Sequence, residues 1–228
     1  MKKNLTYIIF VVDRSGSMSS ICKDMIGGFN AFIKEQRKIK GDCKVFFYQF
    51  DTEYDTVYEK VDLDNVKDLN DKTYVPRGGT ALYPSLGKTI EDIGKKLSSM
   101  REHERPERIL FVTITDGEHN SNLSMINGKP IKWDEPFHQF TADQVKSMIE
   151  HQTQVYNWDF AYIGANQDTW AVGSGMGHTK GTTLSYVASA AGTSNMWDKL
   201  CDSTAAYRSS TTHKKFTFEE EETKKKSS

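Results

Sequence analysis

Three apolar runs constrain this chain most: Tyr7 to Val12, Ile109 to Ile114, broken only by Thr113, and Phe160 to Ile163. A strand with one wet face alternates apolar and polar residues, whereas a strand that is apolar throughout has to be covered on both faces. Helices do the covering, and the intervening segments supply them. Met25, Phe29, Phe32 and Ile33 form one stripe at helical spacing, and Leu82, Leu86, Ile90, Ile93, Leu97 and Met100 a second. Val145, Met148 and Ile149 form a third, opened by Thr141 and Gln144 at the spacing of a capping box. Met196, Trp197, Leu200 and Thr204 form a fourth. Strand alternating with helix predicts parallel strands joined by crossovers.

One pair departs from that plan. Val45 to Phe50 and Tyr54 to Val61 are separated only by Asp51-Thr52-Glu53, too short for a crossover, so they predict an antiparallel hairpin. A short edge strand near Thr182 to Val187 completes the expectation. The fold class is α/β: a doubly wound, mostly parallel six-stranded sheet with one antiparallel edge hairpin strand and helices on both faces.

The 228 residues suit one large α/β domain. Residues 1–210 read as that domain, with 118–140 a long loop insertion beside Asp116-Gly117. The insertion carries Asn127-Gly128, a hairpin-turn signal, and the aromatic residues Trp133 and Phe137, which are suited to anchoring a partner. Residues 211–228 read as a charged, mobile tail, because the blocks Glu219 to Glu222 and Lys224 to Lys226 do not pack. A net charge of -1 gives no global attraction to nucleic acid or membrane. The apolar stretch Leu5 to Val12 is short and ends at Asp13, so it reads as a buried strand and not as a secretory signal. No run approaches the roughly 20 apolar residues that span a bilayer. Three cysteines without a CxxC pair fit a reducing compartment, and a cytoplasmic location is expected.

Chemistry concentrates where the buried strands end. The first runs into Asp13-Arg14-Ser15-Gly16-Ser17, and Thr115-Asp116-Gly117 ends a later one. Gly78-Gly79-Thr80 precedes the second helical stripe. In an open α/β sheet, ligands bind outside the carboxyl ends of the strands. Asp13, Ser15, Ser17, Thr80 and Asp116 together offer two carboxylates and three hydroxyls, a hard-oxygen set suited to Mg2+ or Mn2+. Singly, each residue has a plainer use: Asp13 and the serines as helix caps, Asp116-Gly117 as a turn. Their common position argues for a shared one.

This pattern resembles the metal-ion-dependent adhesion site of von Willebrand factor A-type domains, with all five signature residues in family order. The likeness covers roughly Leu5 to Arg208. It implies a Rossmann-like A-type fold in which Ser15, Ser17 and Thr80 ligate the metal directly, while Asp13 and Asp116 act partly through water. It further implies a position left open for a partner's Asp or Glu. The segments Tyr162 to Asp168 and Ala205 to Arg208 look like the later half of stand-alone A-type proteins from bacteria and their phages. There, Asn166, Gln167 and Asp168 reach the metal face, or Asp168 caps the next helix.

The function expected is a metal-dependent protein-binding module, an intracellular adaptor or regulator without catalysis. The acidic run after Phe216-Thr217-Phe218 makes self-association a second partner class. An Mg2+-dependent phosphohydrolase is an alternative, but it needs an acid where Ser15 stands. An RNA-binding module is another, which the neutral charge and the lack of a basic stripe oppose. Gly173 to Gly177 reads as a loop, His119 as a solvated loop residue and Cys22 as core.

Overall fold

The computed structural model describes residues 1–117, 119, 125, 126, 129, 130, 140–212 and 214–218. Its main sheet has six strands: β1 (Lys2–Asp13), β2 (Asp42–Phe50), β3 (Tyr54–Asp62), β4 (Pro106–Thr115), β7 (Asp159–Ala165) and β8 (Thr183–Tyr186). Two-residue strands β5 (Met125–Ile126) and β6 (Lys129–Pro130) pair with each other on either side of Asn127-Gly128. The order across the main sheet is β3-β2-β1-β4-β7-β8, and only β3 runs antiparallel to its neighbour. The expected sheet, hairpin and edge strand are all present.

Among the described residues five α-helices surround it: α1 (Cys22–Gln36), α2 (Leu82–Ser99), α3 (Ala142–Tyr156), α4 (Thr169–Gly175) and α5 (Ala190–Ser209). β1 shows why both faces are covered. Ile8, Phe10 and Val12 face one cluster with Phe29 and Phe32 of α1 and Trp197 and Leu200 of α5. Tyr7, Ile9 and Val11 face the other, with Leu86 and Ile90 of α2 and Val145 and Ile149 of α3. In the first cluster Phe10 meets Phe32 edge-on at 5.4 Å, and Phe29 meets Phe47 at 4.8 Å. Gly28 has to lack a side chain, because a Cβ there would stand 2.0 Å from the Trp197 ring. The capping box forms as expected: Gln144 N–H donates to Thr141 Oγ1 and Thr141 N–H to Gln144 Oε1.

Both sheet edges are irregular. β3 slips register twice against β2, and Lys60 within it has a left-handed φ of 53°. β8 is only four residues long.

Two expectations need correcting. Gly173 to Gly175 belong to α4, not to a loop. Asp168 starts that helix by accepting from Ala171 N–H at 3.0 Å, and the bare Gly173 lets it lie against Thr183 of β8. The segment after Ser210 is also not uniformly a tail. Phe216 and Phe218 are 1% and 7% exposed, Phe216 packs on Tyr207, and Phe218 N–H donates to the Gly181 carbonyl ahead of β8. Two aromatics repay their ordering by burial, even beside charge blocks. The blocks themselves, from Glu219 on, lie outside the described residues, as do Trp133 and Phe137. Among the described residues, no helix is long and apolar enough to cross a membrane.

Candidate metal centre

β1 delivers Asp13 to the carboxyl edge of the sheet, fully buried. Its Oδ1 accepts the Ser15 N–H at 2.6 Å and its Oδ2 the Thr115 hydroxyl at 2.6 Å. The Tyr74 hydroxyl donates to the Asp13 carbonyl at 2.5 Å. Asp13 is thus held at both its carboxylate oxygens and its backbone. Ser15 precedes a short 3-10 turn, Gly16–Ile21, which carries Ser17 back over the edge. There the Ser17 hydroxyl donates to Asp116 Oδ1 at 2.7 Å, and Ser15 Oγ lies 3.0 Å from Ser17 Oγ. A serine has one hydroxyl proton; with that of Ser17 given to Asp116, Ser15 is the donor within the pair. Thr80 enters just ahead of α2, its Oγ1 3.8 Å from where a Cβ on Gly117 would stand. All five sequence-expected residues therefore gather on this edge.

Their electrostatics are those of an acidic pocket. Burial pushes the Asp13 carboxyl up to about 7, against the hydrogen bonds from Thr115 and Ser15, and the Asp116 charge adds to the rise. Burial also raises Asp116, offset by the Ser17 hydrogen bond. The ion pairs among the described residues involve neither carboxylate.

No protein-family model matches the sequence, and no curated protein matches it. Solved structures do match by shape. The vWF domain of the type V pili tip protein Mfa5 from Porphyromonas gingivalis superposes with a TM-score of 0.55 at 9% identity, covering 86% of this chain and 94% of that one. Manganese-loaded TRAP protein from Plasmodium vivax gives 0.56 at 14%, covering 89% and 72%. Proximal thread matrix protein 1 from the mussel byssus, with a zinc-occupied MIDAS motif, gives 0.53 at 12%, covering 88% of this chain and 46% of that one. This chain therefore spans less than half of the mussel protein.

The fold is the von Willebrand A-type fold.

On this A-type scaffold the donor set fits a divalent cation. Among the described residues no three His, Cys, Asp or Glu side chains gather in metal-binding geometry, and hydroxyls are the other side-chain oxygens open to a cation. The edge supplies them. Ser17 donates its hydroxyl hydrogen to Asp116 and accepts from Ser15, which leaves one lone pair of a polarised oxygen uncommitted. Two buried carboxylates beside it, without a cation, are the charge that a hard divalent ion neutralises.

The neighbouring residues divide between site and scaffold. Asn166, with a left-handed φ of 57°, donates its side-chain amide to the Asp116 carbonyl at 3.5 Å. Gln167 turns to the Tyr162 hydroxyl, and Asp168 is the α4 cap. His119 is half-buried, not solvated, and its ring packs 4.6 Å from that of Tyr83. Cys22 is half-buried at the start of α1, with Sγ directed at the Tyr74 carbonyl. Sequence reasoning did not single out Thr115 or Tyr74 as supports of Asp13. Thr115 was legible from its place beside Asp116; Tyr74 sits in an irregular loop whose path no periodicity reveals.

Proposed function

We propose that this chain is a metal-dependent protein-binding module, holding Mg2+ or Mn2+ on Ser15, Ser17 and Thr80, with Asp13 and Asp116 acting partly through water. The observation that carries the reading is the chain of contacts from Ser15 through Ser17 to Asp116, set against the buried Asp13. When bound, the ion supplies Lewis acidity toward one incoming carboxylate. The protein's part is to keep the hydroxyls neutral and facing outward, so that the ion retains positive character for a partner's Asp or Glu. Manganese and zinc in the names of the two similar structures support a divalent ion of this kind. The insertion at 118–140 follows directly on the strand end that carries Asp116 and is the segment proposed to select the partner.

The three cysteines are free and suit a reducing interior, which supports an intracellular adaptor or regulator. Self-association through a neighbour's metal is the second partner class proposed, carried by the acidic run that follows Phe218 in the sequence.

Calorimetric titration with Mn2+ tests the site. Wild type should bind one ion, and Asp13→Ala should bind roughly 10- to 100-fold more weakly, as loss of a charged support implies. Equal affinity in the two proteins would falsify the assignment.

A further inference from the structure

The two loops that carry the candidate ligands are tied together away from those ligands. Arg77 N–H donates to the Arg14 carbonyl at 2.7 Å, and Gly16 N–H to the Gly78 carbonyl at 3.1 Å. Both bonds join the Asp13-to-Ser17 loop to the loop that ends in Thr80. Behind them lies Asp51, the first residue after β2, with a side chain 0% exposed. Its Oδ2 accepts from Arg14 Nε at 2.9 Å and from Arg77 Nε at 2.8 Å. Its Oδ1 accepts the Glu53 N–H, and its backbone carbonyl accepts the Ala81 N–H at 3.0 Å, next to Thr80. Thr52 beside it presses on Gly78, where the φ of 64° and a hydroxyl 2.8 Å from any Cβ both require glycine. One carboxylate oxygen thus serves both loops.

Arg14 is 5% exposed in its side chain and also pairs with Asp55 at 2.6 Å, while Arg77 is 50% exposed and also reaches Glu53. A buried guanidinium in the middle of a metal-ligand loop is unfavourable unless its charge is matched, so Arg14 fixes where Asp51 must be, and Asp51 fixes Arg77.

We infer that Asp51 is a positioning residue for the metal centre: by bridging Arg14 and Arg77 it sets the separation between the Ser15–Ser17 hydroxyls and the Thr80 hydroxyl. It touches no ligand itself. The inference rests on the metal reading above. It places the determinant of metal affinity partly on the β2–β3 hairpin, outside the five-residue signature. Ser17 contacts Asp116 directly and Ser15 is joined to it through Ser17, so Thr80 is the ligand whose place depends most on this bridge. A hard ion with near-ideal octahedral demands responds to small changes in such a spacing.

The test uses the full chain and three variants, Asp51→Asn, Arg77→Gln and Thr80→Ala, alone and combined. Arg77→Gln cuts the Thr80 side of the bridge while leaving the buried Arg14–Asp51 pair intact, so it serves even if Asp51→Asn fails to fold. Amide exchange without metal should quicken at Gly16, Arg77 and Ala81 in both bridge variants, while the β1 and β4 amides stay protected. Mn2+ affinity should fall about 10-fold in each bridge variant. In the Thr80→Ala background the same changes should have little further effect, because a residue that acts through Thr80 has nothing left to position. Unchanged exchange at those amides overturns the coupling. Faster exchange with wild-type Mn2+ affinity, or full additivity with Thr80→Ala, overturns the positioning role. A wild type that binds no Mn2+ instead overturns the metal reading, and exchange still decides whether Asp51 holds the loops together.

Discussion

Each end of the sheet buries an aspartate, and the two are treated differently. At the amino edge Asp159, the first residue of β7, accepts from the Tyr207 hydroxyl at 2.9 Å and the Phe216 N–H at 3.2 Å, with Lys215 Nζ at 3.8 Å. Burial raises its carboxyl, and the Lys215 charge opposes the rise. At the carboxyl edge Asp13 has a second acid nearby where Asp159 has a lysine. The first arrangement is closed: donors and a cation come from the same chain and pin the segment that carries Lys215 and Phe216. The second is open, because its charge asks for a cation that the described residues do not supply. Burial alone does not mark a functional carboxylate; the identity of its neighbours does.

That contrast can be broken most forcefully at the amino edge. Phe216→Ala should destabilise the protein by about 4 kcal/mol in urea unfolding, the usual range for a fully buried aromatic, and leave Mn2+ affinity untouched. A change under about 1 kcal/mol would show that the last segment is not part of the fold. The next effect depends on pH. His178 is fully buried against Phe160 and Tyr162, and burial lowers its imidazole to about 4. The unfolded chain takes up this proton near 6.5 and the folded one only near 4. Stability therefore holds above pH 6.5, falls as pH drops between those values, and levels below 4, a loss of about 3 kcal/mol at most. Replacing it, His178→Gln, should flatten that part of the profile; an unchanged slope would remove His178 as its cause.

The two aspartates can then be compared directly. Asp159→Ala strands two buried donors and should lower stability by about 2 kcal/mol with no effect on metal. By contrast, Asp13→Asn removes a buried charge that no cation matches, so metal-free stability should not fall while Mn2+ affinity does. Equal losses of stability would make Asp13 another structural acid. The smallest effect belongs to Asp168, which lies on the carboxyl edge but works as a cap. Asp168→Ala should lower stability by about 1 kcal/mol and leave Mn2+ affinity unchanged, and a drop in affinity would return it to the metal face.

What the sequence disclosed follows the range of the interactions. β1 and β4 were legible because burial on both faces writes a nearly continuous apolar run, and α3 because Thr141 and Gln144 carry their signal within one turn. The five candidate ligands were legible because each sits at the end of such an element. Tyr74 and Asp51 were not, since each meets its partner at Asp13 or Arg14 across tens of residues. Arg14 was in plain view inside the ligand loop; a charge flanked by buried residues is the one local hint that something distant neutralises it. The docking of Phe216 and Phe218 was hidden by the charge blocks around them, which dominate composition over so short a window.

The irregular margins of the sheet limit how copies of this protein can meet. An open parallel sheet normally offers two rows of unpaired amides and carbonyls, and another chain can add a strand to either. Here a bulged, lysine-bearing ribbon guards one margin, and the other offers barely four residues to pair with. Backbone zippering is discouraged on both sides. Side chains at the loop ends are then the remaining means of association, where recognition depends on residue identity and, on the function proposed above, is switched by a single ion.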